Sequence, residues 1–90
     1  MPQGTIHVTK LSEAPEIYAV WFSPYHGAGG PRANRRCDGL VDLGHLLEKL
    51  GIRHQQASNA LRDAFQKTNA TVTNIDVTEQ RLQELGLGPP

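Results

Sequence analysis

The sequence predicts a single α+β domain, residues 1–90, with a small three-stranded sheet covered mainly on one face by three helices. Three segments have the composition or alternation of strands and three have the apolar spacing of helices. The two kinds of segment are mixed along the chain, in the order β-β-α-α-β-α. The apolar content of 38% is enough for a small core without disulfides.

The three predicted strands differ in the spacing of their apolar residues. Residues 5–11 alternate, which places Ile6 and Val8 on one face and predicts a half-buried edge strand. Residues 16–22 form a continuous apolar run, the pattern of a strand covered on both faces, and we expect it to be the central strand. Residues 69–77 are rich in β-branched residues, which favour a third strand.

The first two predicted helices each have one apolar stripe. The first begins near Asp38 or Asp42, either of which can cap it, and it ends at Gly51. The second covers about residues 53–66.

A third, short helix is predicted because Asp76 and Glu79 have the spacing of a capping box. Beyond it, we expect residues 86–90 to form a frayed tail. The predicted core combines strand and helix residues: Val8, Val20, Leu43, Leu46, Leu50, Leu61, Phe65 and Leu82.

Residues 23–39 lack any periodicity and contain four of the nine glycines. A glycine-rich segment between a strand and a helix can present backbone N–H groups to an anion, and arginines add positive charge. We interpret this segment as a loop that binds phosphate or a protein partner through Tyr25, His26, Arg32, Arg35 and Arg36. The alternative is a surface loop whose arginines only keep it solvated.

Composition and charge narrow the classes of function. Nine basic and nine acidic residues give zero net charge, whereas a dedicated nucleic-acid binder is usually more basic. Cys37 is the single cysteine, so no intramolecular disulfide can form, and the ligand spacings of a zinc site are missing. The longest apolar run, residues 17–22, is far shorter than a membrane span. We expect a cytoplasmic protein without metal, cofactor or membrane segment.

The most specific pattern is residues 43–65, LGHLLEKLGIRHQQASNALRDAF. Gly51 followed by Ile52 is typical of the short turn between the two helices of a helix-turn-helix, and Ala57 and Ala60 have the spacing of buried residues in its second helix. In these respects the segment resembles the turn and recognition helix of bacterial repressors.

The resemblance implies that the second helix reads duplex DNA in the major groove, where amide and guanidinium groups bond base edges. The residues it assigns to DNA are Arg53, Gln55, Gln56, Asn59 and Arg62. One copy offers few contacts, so a homodimer on paired half-sites is implied. Leu47 departs from the pattern, which favours a small residue there. The same residues also fit an ordinary helical hairpin packed on a sheet.

The sequence therefore indicates a small non-enzymatic regulatory or binding protein, and the most specific hypothesis is DNA binding. That hypothesis requires Gln55, Gln56 and Asn59 to be exposed. The main alternative is a protein-interaction or inhibitor module whose arginine loop contacts an acidic partner surface. A third hypothesis is a phosphate- or nucleotide-binding enzyme that uses Cys37 or His26.

Overall fold

The computed structural model describes residues 3–25 and 33–88, and this part of the chain forms a four-stranded antiparallel sheet and three helices. In chain order the elements are β1 (Gln3–Glu13), β2 (Glu16–Pro24), β3 (Arg35–Asp38), α1 (Leu40–Lys49), α2 (His54–Lys67), β4 (Asn69–Asp76) and α3 (Glu79–Glu84). The strand order in the sheet is β3-β2-β1-β4. The α+β class and the three helices are confirmed. None of the described helices is long and apolar enough to cross a membrane.

β3 is the strand that the sequence prediction missed, so the predicted number of strands and order of elements were wrong. It lies within residues 23–39, which we interpreted as a loop. In its ladder with β2, Cys37 pairs with Tyr18 and Arg36 pairs with Ala19. Four residues with a single buried apolar side chain are too few to show a strand period.

β1 lies in the interior of the sheet, not at its edge as predicted. It pairs with β2 on one side and with β4 on the other. Its alternation arises because Ile6 and Val8 are buried on one face while Thr5 and His7 are half-buried on the other. The alternation therefore indicates a sheet with one face that no helix of the described residues covers.

The core lies on the inner face of the sheet, where all three helices pack. Of the residues predicted for it, six are buried: Val8, Val20, Leu43, Leu46, Leu50 and Leu82. Leu61 is only partly buried, and the prediction for Phe65 was wrong because its side chain is 48% exposed. Phe65 lies beside the buried stripe of α2, and the Nζ atom of Lys10 is 4.5 Å from the centroid of its ring.

The outer face of the sheet includes residues that alternate with those of the core cluster: Thr5, His7, Thr9, Ile17, Ala19, Trp21, Ser23, Arg36, Asp38, Asn69, Thr71 and Asp76. No helix in the described part of the chain packs on it. The continuous apolar run of β2 predicted that other elements would cover both faces of this strand. Instead, Trp21 is half-buried and stacks on His7. The prediction that β2 is a central strand is confirmed.

Both predicted helix caps were wrong. Asp42 lies within the first turn of α1, where its Oδ2 accepts a hydrogen bond from the backbone N–H of Asp38 at 3.0 Å. α3 is capped by Thr78, whose Oγ1 accepts from the backbone N–H of Arg81 at 3.1 Å. Asp76 is the last residue of β4 and stands too early to cap α3.

The segment after α3 packs against the domain where we expected it to fray. Leu87 is fully buried, and the carbonyl oxygen of Gly88 accepts a hydrogen bond from the backbone N–H of Ala33 at 3.1 Å. Residues 86–88 therefore cover one end of the core, and residues 89–90 lie outside the described part of the chain.

Candidate functional site

The turn between α1 and α2 has the length and glycine conformation expected for a helix-turn-helix. It comprises residues 50–53, and Gly51 has a φ of +79°, in the left-handed region that favours glycine after a helix. The backbone N–H groups of Gly51 and Ile52 donate to the carbonyl oxygens of Glu48 and Leu47, at 2.9 and 3.2 Å. These bonds close the last turn of α1.

Leu47 is fully buried at the position where the helix-turn-helix pattern favours a small residue. Its side chain fills the core between the helices and the sheet. At Gly44, where α1 faces α2, an added methyl carbon would lie 3.6 Å from Cδ1 of Leu61, an ordinary contact distance.

The five residues assigned to DNA are all exposed: Arg53, Gln55, Gln56, Asn59 and Arg62. Successive helical residues are about 100° apart, so Gln55 and Arg62 lie opposite the buried Ala60 and Ala64. Asn59 lies beside them, and together these three residues form the outward face of α2. This face presents two amides and a guanidinium to solvent.

Gln56 lies on the flank of α2. With Asn59 it borders a small polar groove of about 180 Å³ between α2 and β4, which is also lined by Thr71 and Thr73. The five candidate residues therefore occupy two adjoining surfaces of one helix.

The charge of α2 is weakly positive. Asp63 Oδ1 lies 3.8 Å from Arg62 Nε and 3.7 Å from Lys67 Nζ, so one carboxylate forms ion pairs with two cations. Both cations are exposed, and ion pairs of this kind contribute little to stability. A phosphate can therefore replace the carboxylate at low cost, but the helix attracts polyanions less strongly than an unpaired cluster does.

Tyr25 of the predicted loop site connects strands. Its phenol oxygen accepts a hydrogen bond from the backbone N–H of Asn74 at 2.9 Å and donates to Asn74 Oδ1 at 3.2 Å. Hydrogen bonds donated by Thr5 and by the Asn74 backbone lower the pKa of the Tyr25 phenol. The side chain joins the end of β2 to β4, which gives it a structural role.

The structure does not bring the described arginines of the predicted loop site together. Arg35 is half-buried and its Nη1 donates to the carbonyl oxygen of Leu85 at 3.0 Å. Arg36 is exposed on the outer face, because consecutive strand residues point to opposite faces. His26 and Arg32 lie outside the described residues.

Cys37 has the environment of a structural cysteine. Its side chain is fully buried; burial and the nearby Asp42 carboxylate raise the pKa of the thiol to about 11, although Arg35 acts to lower it. No group of three metal-ligating side chains occurs among the described residues.

We expect Cys37 to react slowly with thiol reagents at neutral pH in the folded protein and rapidly after unfolding, because the thiolate is the reactive form. Since folding raises the thiol pKa from 9.0 to about 11, the stability linked to the neutral thiol is fully present below 9.0 and is lost as pH rises through about 11. Modification rates with and without denaturant test this. Rapid labelling of the folded protein at neutral pH would contradict it.

Sequence reasoning missed an apolar groove of about 550 Å³ between α1 and α2. Its lining includes Leu40, Val41, Ala57 and Leu61. Val41 is an apolar residue of α1, yet it is 76% exposed. The sequence does not show that Val41 is exposed, because this depends on which residues of α1 are buried in the structure.

Neither a protein-family model, nor a curated protein, nor a solved structure matches the chain significantly.

Proposed function

We propose that this chain is a small regulatory protein that binds duplex DNA, with the outward face of α2 in the major groove. The observation that carries the proposal is the exposed set Gln55, Asn59 and Arg62, which follows a glycine turn of helix-turn-helix length. Asparagine and glutamine amides can each make two hydrogen bonds to adenine, and Arg62 supplies a positive charge for a phosphate.

The start of α2 is suited to approach the DNA backbone. Arg53 stands at the N-cap, and α2 has neither a side-chain cap nor an acidic residue in its first turn. Recognition helices contact base edges with their N-terminal residues, and a helix N-terminus favours phosphate. In the proposed complex Gln55 and Gln56, in the first turn, therefore approach base edges, while Arg53 and the free backbone N–H groups at the start of α2 contact phosphates.

The proposal includes a homodimer. The chain has zero net charge, and Arg62 shares Asp63 with Lys67, so a single copy binds DNA weakly. Two copies related by a two-fold axis place their α2 helices in successive major grooves, about 34 Å apart. The paired half-sites supply the affinity that one helix lacks.

Fluorescence anisotropy with labelled duplexes, at low and moderate salt, tests the proposal. Arg62→Ala should weaken binding to all duplexes and reduce the salt slope by about 0.9. Gln55→Ala should change the preference between duplexes, by about 1–3 kcal/mol at one base pair.

The matched control is Gln80→Ala, which removes an exposed glutamine from α3 instead of α2. This variant should bind duplexes like the unchanged protein. No salt-sensitive binding at micromolar protein, or equal losses in Gln55→Ala and Gln80→Ala, would show that α2 is not a DNA-reading helix.

The apolar groove between α1 and α2 favours a second candidate, a protein-interaction module. Its volume of about 550 Å³ and the exposed Val41 offer a place for an apolar side chain of a partner. The DNA titration separates the two functions, because a module of this kind shows no binding whose affinity falls steeply with salt.

A further inference from the structure

The outer face of the sheet has a stacked aromatic pair at its centre. His7 on β1 and Trp21 on β2 are directly opposite in the strand register. Their ring centroids are 5.2 Å apart and the ring planes differ by 10°. Because β1 and β2 are the two interior strands, the pair lies at the middle of the sheet, and both rings are half-buried.

Hydroxyl groups surround this pair. Thr71 of β4 is opposite His7 on the side away from Trp21, and Thr5 and Thr9 are the next outer-face residues of β1. Thr9 Oγ1 donates to Asn69 Oδ1 at 3.0 Å. The surroundings are therefore polar and uncharged, with groups that both donate and accept hydrogen bonds.

A positive charge lies on the same face. Arg36 pairs with Ala19, which is two residues from Trp21 on β2, so the guanidinium is a diagonal neighbour of the indole. Arg36 is exposed and forms no ion pair within the part of the chain that the structure describes. The acidic residues that the register places on this face, Asp38 and Asp76, are the last residues of their strands.

This combination favours single-stranded nucleic acid over a second protein sheet. Sheets that pack face to face bury apolar side chains, whereas most of this face consists of hydroxyl and charged residues. Unpaired bases stack on aromatic rings, hydroxyls bond their edges, and arginine contacts phosphate. In a duplex the bases are stacked on one another, so a flat sheet cannot use them in this way.

We propose that the outer face of the sheet binds single-stranded nucleic acid, with a base stacked against the His7–Trp21 pair and a phosphate on Arg36. Threonine hydroxyls beside the pair bond the base edges. The His7–Trp21 pair and Arg36 lie on the side of the sheet opposite α2, so their contacts with a base and a phosphate are independent of the duplex binding proposed for that helix. Thr71 lies on the edge strand β4 and also borders the groove beside Gln56 and Asn59.

Trp21 is the single tryptophan of the chain, so its fluorescence reports directly on this surface. The protein is titrated with oligothymidylate and oligouridylate of about 12 nucleotides, at low and moderate salt. Saturable quenching that weakens with salt is expected with at least one of them, and the stronger ligand identifies DNA or RNA.

Two variants test whether the oligonucleotide binds at this face. His7→Ala should weaken binding roughly tenfold by removing half of the stacked pair. Arg36→Ala should weaken it about fivefold and make the salt slope shallower by about 0.7. Arg81→Ala, which removes an exposed arginine of α3, is the matched control and should leave oligonucleotide binding unchanged. Thermal unfolding of each variant verifies that the fold is retained, and duplex binding by His7→Ala separates this proposal from that for α2.

Three results would overturn the proposal. The first is the lack of saturable quenching at micromolar protein. The second is quenching that Arg36→Ala and His7→Ala leave unchanged. The third is a shift of Trp21 emission with protein concentration alone, accompanied by dimers in sedimentation, which would mean that a second copy covers this face.

Discussion

Leu47→Ala is expected to lower the free energy of unfolding by about 2–5 kcal/mol. Leu47 is fully buried in the single core cluster, and truncation leaves a cavity that its neighbours fill only in part. Domains of this size are stable by about 5–15 kcal/mol, so the loss is a large fraction of the total. Alanine is also the residue that the helix-turn-helix pattern favours at this position. A large loss of stability would therefore mean that Leu47 is needed to fill the core. A small loss would mean that the two helices can pack with the small residue of the helix-turn-helix pattern.

The matched control for Leu47→Ala is Val41→Ala in the same helix. Val41 is 76% exposed, so the control should change stability by less than about 0.5 kcal/mol. Denaturant unfolding, followed by the emission of Trp21 and by circular dichroism, gives both values. A Leu47→Ala variant as stable as Val41→Ala would mean that Leu47 does not fill the core.

Gly4→Ala is expected to destabilise the protein by about 3 kcal/mol. An added Cβ collides with the backbone carbonyl oxygen of Ser23, and it would lie 2.8 Å from Phe22 Cζ and 2.9 Å from Pro24 Cα. Two of these obstacles are backbone atoms of the paired strand, so relief requires β1 and β2 to separate locally. Denaturant unfolding of the variant measures the effect.

Gly44→Ala controls for the general effect of adding a methyl group to glycine. The new Cβ would lie 3.6 Å from Leu61 Cδ1, an ordinary contact, and the position is inside α1. Alanine in a helix interior is favoured over glycine by about 0.5–1 kcal/mol, so this variant should be more stable. Changes of the same sign in both variants would contradict the close approach at Gly4.

The two long helices were predictable because their signals are local. Gly51 ends α1 through its own backbone conformation, and the buried Ala60 and Ala64 follow a helical period that any window of α2 contains. The exposure of Gln55 and Asn59 follows from the same period. This part of the candidate site was therefore predictable from the sequence.

The strand at Arg35–Asp38 was not predictable, since its residues become a strand by pairing with β2. The same limit applies to the outer face. His7 and Trp21 are opposite each other because of the register between β1 and β2, which neither strand determines alone. Adjacent arginines suggested a cluster, but a strand sends neighbouring side chains to opposite faces, which separates Arg35 from Arg36.

The interior position of β1 has a consequence for folding during synthesis. Its Thr9 bonds to Asn69, 60 residues later in the chain. While the chain is being made, β1, β2 and β3 can already pair, but the other edge of β1 stays open until both long helices and β4 have left the ribosome. An open edge next to an apolar face invites pairing with other chains. The period between the synthesis of β3 and that of β4 is therefore when a nascent chain of this protein is most prone to aggregate.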